Sequence, residues 1–143
     1  MNDSPFSESV RMGAHSAFEF ASDLGGVERA RAIRNKSPTL DRRTWSQIVD
    51  LGWPLIFVAE QHGGLDYGAD EMAALIENTS RVLLPEPLIG AIASAGLLSD
   101  CGTDEACEML RQLVEAKDLF VVVDAMCRSV ESTDKFLPAA KAK

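Results

Sequence analysis

The stretch Leu51-Gly52-Trp53-Pro54-Leu55-Ile56-Phe57-Val58-Ala59-Glu60-Gln61-His62-Gly63-Gly64-Leu65 limits the possible folds of this chain more than any other. A helical pattern runs into it through Trp45, Ile48 and Val49 and stops at Gly52, a residue that takes the left-handed conformation of a helix end without a Cβ penalty. Leu55 to Val58 is too short for a helix and reads as an extended piece. Gly63-Gly64 and then Tyr67-Gly68 read as turns. A chain built this way joins two helices through an irregular apolar crossing, which excludes a simple hairpin of helices.

The flanking sequence is helical in period. Val10, Ala14, Ala17, Phe18, Ala21 and Leu24 trace one face between residues 7 and 24, ended by Gly25-Gly26. Residues 27–33 suggest a short basic helix with Arg29, Arg31 and Arg34 outward. The next helix is expected to start near Ser37-Pro38, with serine as cap and proline in the first turn. Residues 69–83 place Met72, Leu75, Ile76, Thr79 and Leu83 on one face, with Asp70 and Glu71 at the positive end of the dipole. Pro85-Glu86-Pro87 stops that helix. Residues 88–98, LIGAIASAGLL, are apolar on all sides and rich in small residues, so a central buried helix is expected. Gly102 ends it, and Thr103 caps a last helix that buries Ala106, Leu110, Leu113 and Val114. Leu119-Phe120-Val121-Val122-Val123 is β-branched and aromatic and reads as a strand without a partner. The small, polar tail after it is expected to be poorly ordered.

A chain of 143 residues can bury one core, and a net charge of -8 disfavours nucleic acid and anionic membrane surfaces as partners. Cys101, Cys107 and Cys127 have neither disulfide-framework nor zinc spacing, and His15 and His62 lie far from them in sequence, so reduced thiols and no metal site are expected. Residues 1–6 lack the basic and apolar regions of a secretory signal, and no apolar run approaches the ~18 residues of a membrane span. A cytoplasmic protein is the expectation.

Trp45, Leu51-Gly52-Trp53, Glu60, Gly63-Gly64-Leu65, Pro85, Pro87 and Gly102-Thr103-Asp104-Glu105, in that order and spacing, resemble the N-terminal helical domain of the acyl-CoA dehydrogenases. The resemblance covers residues 10–123. It departs from the family at Ala59, where proline is usual, at His62, where aromatic residues are common, and at Asp118, where glycine is usual. After Val123 the family's A-x-T-E-P entry into its β-domain is missing. The resemblance implies an α,β-dehydrogenation of an acyl-CoA thioester, in which a carboxylate removes the α-proton and FAD accepts the β-hydride. The family's catalytic glutamate lies in a C-terminal domain and no position here matches it. FAD is implied for the full-length family, with none expected on this chain alone.

Gly63-Gly64 lacks the spacing of a phosphate loop and reads as a turn. Trp53 and Phe57 read as core. His62 reads as an exposed loop residue, and Glu60 as a carboxylate that orders the loop through backbone amides. No catalytic residue is assigned. In the family, the helix corresponding to residues 88–98 lies against the acyl tail, which makes Ile89 and Ala93, one turn apart, the acyl-facing pair. The competing reading is that the small residues of that helix only permit close packing.

The expectation is therefore an all-α bundle of about five helices with a residual C-terminal strand. Residues 1–117 form the acyl-CoA dehydrogenase-like domain, and 118–143 a truncated start of a β-domain plus tail. It contributes an acyl-pocket wall and subunit packing to a flavin-dependent enzyme and is inactive alone, with acyl-CoA as the family substrate and a homo-oligomer or a hetero-oligomer with a homologous subunit as the assembly. The alternative is a stand-alone, non-catalytic interaction module that pairs with a full-length homologue or with itself.

Overall fold

The spacing of Val10, Ala17 and Ala21 becomes the buried face of α1 (Glu8–Asp23) in a computed structural model of the chain, which describes residues 8–34, 40–115 and 118–120. That face packs on α4 (Ala69–Arg81), whose inward residues are Leu75 and Thr79. Thr79 is buried without cost because its hydroxyl donates to the Leu75 carbonyl at 2.9 Å. Between them run α2 (Gly26–Ile33), which follows a left-handed Gly25, and α3 (Arg42–Asp50). Beyond α4 come α5 (Leu88–Cys101) and α6 (Asp104–Val114), which pack on each other.

The core is centred on Trp45, Ile48, Leu55, Val58 and Leu113. Trp45, Ile48 and Val49 are buried at the spacing the sequence predicts for α3. Burial of an aromatic side chain such as Trp45 contributes about 3 kcal/mol. The start of α3 differs from expectation. Asp41 caps it, its carboxylate accepting from the amides of Arg43 (3.0 Å) and Thr44 (3.4 Å). Ser37 and Pro38 lie outside the described residues.

Residues 51–67 close on themselves. Gly52 takes φ +75°, and Trp53–Leu55 form a 3-10 turn rather than the start of an extended piece. Proline at Pro54 favours this, since its fixed φ suits a helical turn. Val58 then donates to the Leu55 carbonyl at 3.0 Å, curling the expected extended segment into a turn. A second 3-10 turn, Glu60–His62, ends at Gly63 with φ +82°. The returning chain bonds the outgoing one: Leu65 N to Leu55 O at 3.1 Å, Asp66 N to Val58 O at 2.9 Å, Tyr67 N to Ile56 O at 2.8 Å. Tyr67-Gly68 is accordingly no turn, and Gly68 is extended.

Two further expectations are corrected. The helix expected over residues 69–83 ends at Arg81, and Leu83 lies beyond it at φ +55°, exposed and off the buried face. The helix at residues 88–98 is longer than expected and not buried all round. Leu88, Ala91, Ile92, Ser94 and Ala95 face inward, while Ile89 (64% exposed), Ala93 and Leu97 (56% exposed) face out. Its neighbours, α6 and the Trp53–Leu55 turn, cover one side only. Thr103 caps α6 as expected, accepting from Ala106 N at 3.2 Å, and Gly102 is left-handed.

The fold class is all-α, with six α-helices and no strand among the described residues. Leu119 and Phe120, the first two of the five residues of the expected strand, pack partly against the core without regular structure, and Val121, Val122 and Val123 lie outside the described residues. Among the described residues no helix is long and apolar enough to cross a membrane.

Candidate functional site

The outward face of α5 is the largest departure from a buried helix, and the entry to that helix is anchored by charge. Pro85 and Pro87 flank Glu86, whose side chain is 1% exposed. A buried carboxylate needs a partner. Arg29 supplies it from α2. Its Nη1 donates to Glu86 Oε2 at 3.1 Å, and its Nη2 makes a second, closer bond to Oε1. The same Nη2 lies 3.7 Å from Asp41 Oδ2 and 3.4 Å from Thr44 Oγ1. One guanidinium thus ties α2, the cap of α3 and the entry to α5. Arg29 was expected to point outward. Its bond to Glu86 instead raises its pKa, against the opposing effect of burial. Asp41 is held below the ordinary carboxylate range, chiefly by the Thr44 hydroxyl. The local sequence gives little sign of this cluster. The available signal is an acid between two prolines at the mouth of an apolar helix.

From that anchor, α5 presents Ile89 and Ala93 side by side on its exposed face, with Leu97 one turn further. Ala91 and Ala95 are fully buried, so these small residues do allow close packing. Gly96 does not, because a Cβ there would meet nothing within 4 Å. The face has uneven relief, low at Ala93 and Gly96 and high at Ile89 and Leu97.

The remaining candidates separate. His62 and Glu60 are both exposed. The turn is closed by the Glu60 carbonyl, which accepts from Gly63 N at 2.9 Å, rather than by its carboxylate. The carboxylate that does hold a loop amide is Glu71, accepting from Gly68 N at 3.1 Å. Gly64 has a packing role, since a Cβ there would stand 1.9 Å from the Val58 carbonyl oxygen. Trp53 is partly buried, its ring meeting Phe20 edge-on with centroids 5.2 Å apart, but Phe57 is 39% exposed and is not core. Cys101 and Cys107 are free and exposed, and Cys127 lies outside the described residues.

Two cavities lie elsewhere. One, of ≈ 200 Å³, opens between α1, the 51–67 loop and α4; it has apolar and aromatic walls and one carboxylate, Glu71. The other, of ≈ 240 Å³, lies between the Glu60–His62 turn and α6 beside His62, Cys107 and Arg111, whose guanidinium is engaged by Glu108 and Glu115.

No curated protein and no solved structure matches the chain. The family described as acyl-CoA dehydrogenase, N-terminal domain, matches residues 7–116. That span holds all six helices, the closed loop and the α5 face, and the chain belongs to the acyl-CoA dehydrogenase family through this N-terminal domain.

Proposed function

We propose that this domain forms one wall of the acyl pocket of a flavin-dependent acyl-CoA dehydrogenase, with Ile89 and Ala93 against the acyl chain. The observation that carries the reading is the apolar face of α5, exposed on a helix whose opposite side is core. Exposed apolar relief of this kind marks a surface that is covered when working. The free thiols of Cys101 and Cys107 support a reducing, cytoplasmic setting. The family match ending at residue 116 supports a domain boundary near residue 117.

Neither of the two cavities described above fits the family's FAD. Each has room for about one ring system, and the one between α1 and α4 is lined by a carboxylate and no cation, whereas a pyrophosphate needs donors. What this domain's residues do is bind and exclude water: an acyl chain laid along Ile89, Ala93 and Leu97 removes apolar surface from solvent at about 25 cal/mol per Å². The base and the hydride acceptor come from other parts of the enzyme.

The test uses the complete flavoenzyme that carries this domain, in one chain or as a complex. Ala93→Phe should lower kcat/KM for long acyl-CoA substrates about tenfold or more while leaving short ones nearly unchanged. An unchanged chain-length profile would sink the assignment.

The same exposed face supports a second reading, a non-catalytic module whose α5 docks on a homologous subunit or a second copy. Ile89→Glu would then abolish an oligomer seen by size-exclusion chromatography with light scattering. A wild-type chain that is monomeric alone and with its homologue rules that reading out.

A further inference from the structure

The cavity between α1, the 51–67 loop and α4 has no part in the acyl-pocket reading, and its make-up is specific. At ≈ 200 Å³ it exceeds the roughly 150 Å³ that accommodates a benzene ring in an apolar protein interior. Its walls are preformed. Leu65 and Tyr67 are fixed by the backbone bonds to Leu55 and Ile56, and Trp53 is braced edge-on by Phe20. Gly13 lines the cavity on the α1 side. It sits inside α1, where glycine costs about 1 kcal/mol relative to alanine, yet an added Cβ would meet nothing within 4 Å. Close packing therefore does not require glycine there.

The one charged side chain lining the cavity is Glu71. Its Oε2 accepts from the Gly68 amide, and Oε1 has no partner among the described residues. A carboxylate lining the same cavity as an indole and a phenol attracts a cation by charge, and aromatic faces add to such attraction. The surrounding protein, with net charge -8, adds to that preference.

We propose that this cavity binds a small organic ammonium with a single apolar ring: the ring lies among Leu51, Leu65, Trp53 and Tyr67, and the ammonium donates to Glu71. The site goes beyond the acyl-pocket reading and stands whether or not that reading holds.

Benzylammonium, with benzyl alcohol as its neutral counterpart, tests this on the full 143-residue chain by NMR titration, following the Trp53 indole and the amides of Leu65 and Tyr67. Benzylammonium should shift these signals saturably. Glu71→Gln keeps an acceptor for the Gly68 amide, so its melting temperature should stay near wild type while benzylammonium binds about tenfold more weakly. Gly13→Leu should fill the α1 side of the cavity and abolish the shifts. Equal affinity of benzylammonium for wild type and Glu71→Gln, equal affinity of the two probes for wild type, unaltered binding to Gly13→Leu, or shifts that avoid Trp53 would each overturn the proposal.

Discussion

Two connections in this domain hold their shape without an α-helix or a sheet, and they do so by opposite means. Residues 51–67 are held by backbone bonding backbone: three amides on the return path meet three carbonyls on the outward one. The 85–87 connection is held by one side chain meeting another, Glu86 with Arg29. The first arrangement depends on the lack of a side chain at one position, the second on the presence of two. The loop should therefore tolerate changes to its exposed side chains, such as Gln61 and His62, and fail at Gly64. The ion pair should fail when either partner goes, and recover when both are replaced by apolar groups.

The largest effect expected from breaking this contrast is at Gly64. Gly64→Ala drives a Cβ to within 1.9 Å of a backbone oxygen that cannot move without opening the loop, so a loss of about 4 kcal/mol or more is expected in urea unfolding. A loss under about 1 kcal/mol would show that the loop yields, and the contrast would be gone. Next comes Glu86→Ala, which leaves Arg29 partnered only by Asp41 and Thr44 and should cost about 3 kcal/mol. The double variant Arg29→Met with Glu86→Leu sharpens the comparison, because most of that loss should return in the same unfolding assay. No second substitution is expected to restore Gly64→Ala.

The smallest effect is at the rim of the ion cluster. The folded state lowers the pKa of Asp41, so its contribution is present above the unfolded carboxylate value, about 4, and is lost as pH falls through the lower folded value. Arg29 is shifted the other way, above its ordinary value, so its contribution persists throughout the working range and disappears only in strong alkali. Asp41→Ala also removes the cap of α3, worth about 1 kcal/mol. The melting-temperature gap between wild type and Asp41→Ala should accordingly narrow below about pH 4. A gap constant down to pH 2 would show that Asp41 acts without its charge.

These differences also explain what could be read from the sequence. Gly52, Gly63 and Thr103 announce their roles because a left-handed backbone and a helix cap are local needs met by few residue types. The buried faces of α3 and α6 follow from spacing alone, whereas on α1 Phe18, expected on the inner face with Val10, Ala17 and Ala21, is 36% exposed and lies under the Arg81 guanidinium. Glu86 does not announce itself, since its partner is 57 residues away and Arg29 sits in a segment that looks like a solvated basic helix. On α5 the sequence is apolar in every direction, so periodicity could not say which side stays in water. That side was fixed by where α6 and the 53–55 turn happened to lie. Ile89 and Ala93 were legible as a pair one turn apart, but their exposure was not. The cavity at Glu71 was illegible for the same reason, since its walls come from three separate elements.

The closed loop also bears on how the chain finds its shape. Chain entropy charges little for short excursions, and the Leu65 amide meets a carbonyl only ten residues back. The Arg29–Glu86 contact closes a segment of 57 residues, which by the logarithmic law costs about 1.5 kcal/mol more than closing ten. Loops of about ten residues close in roughly 10–100 ns. The 51–67 segment can thus form, open and form again many times before α1 and α4 meet, and it can serve as a ready-made surface for them to condense on.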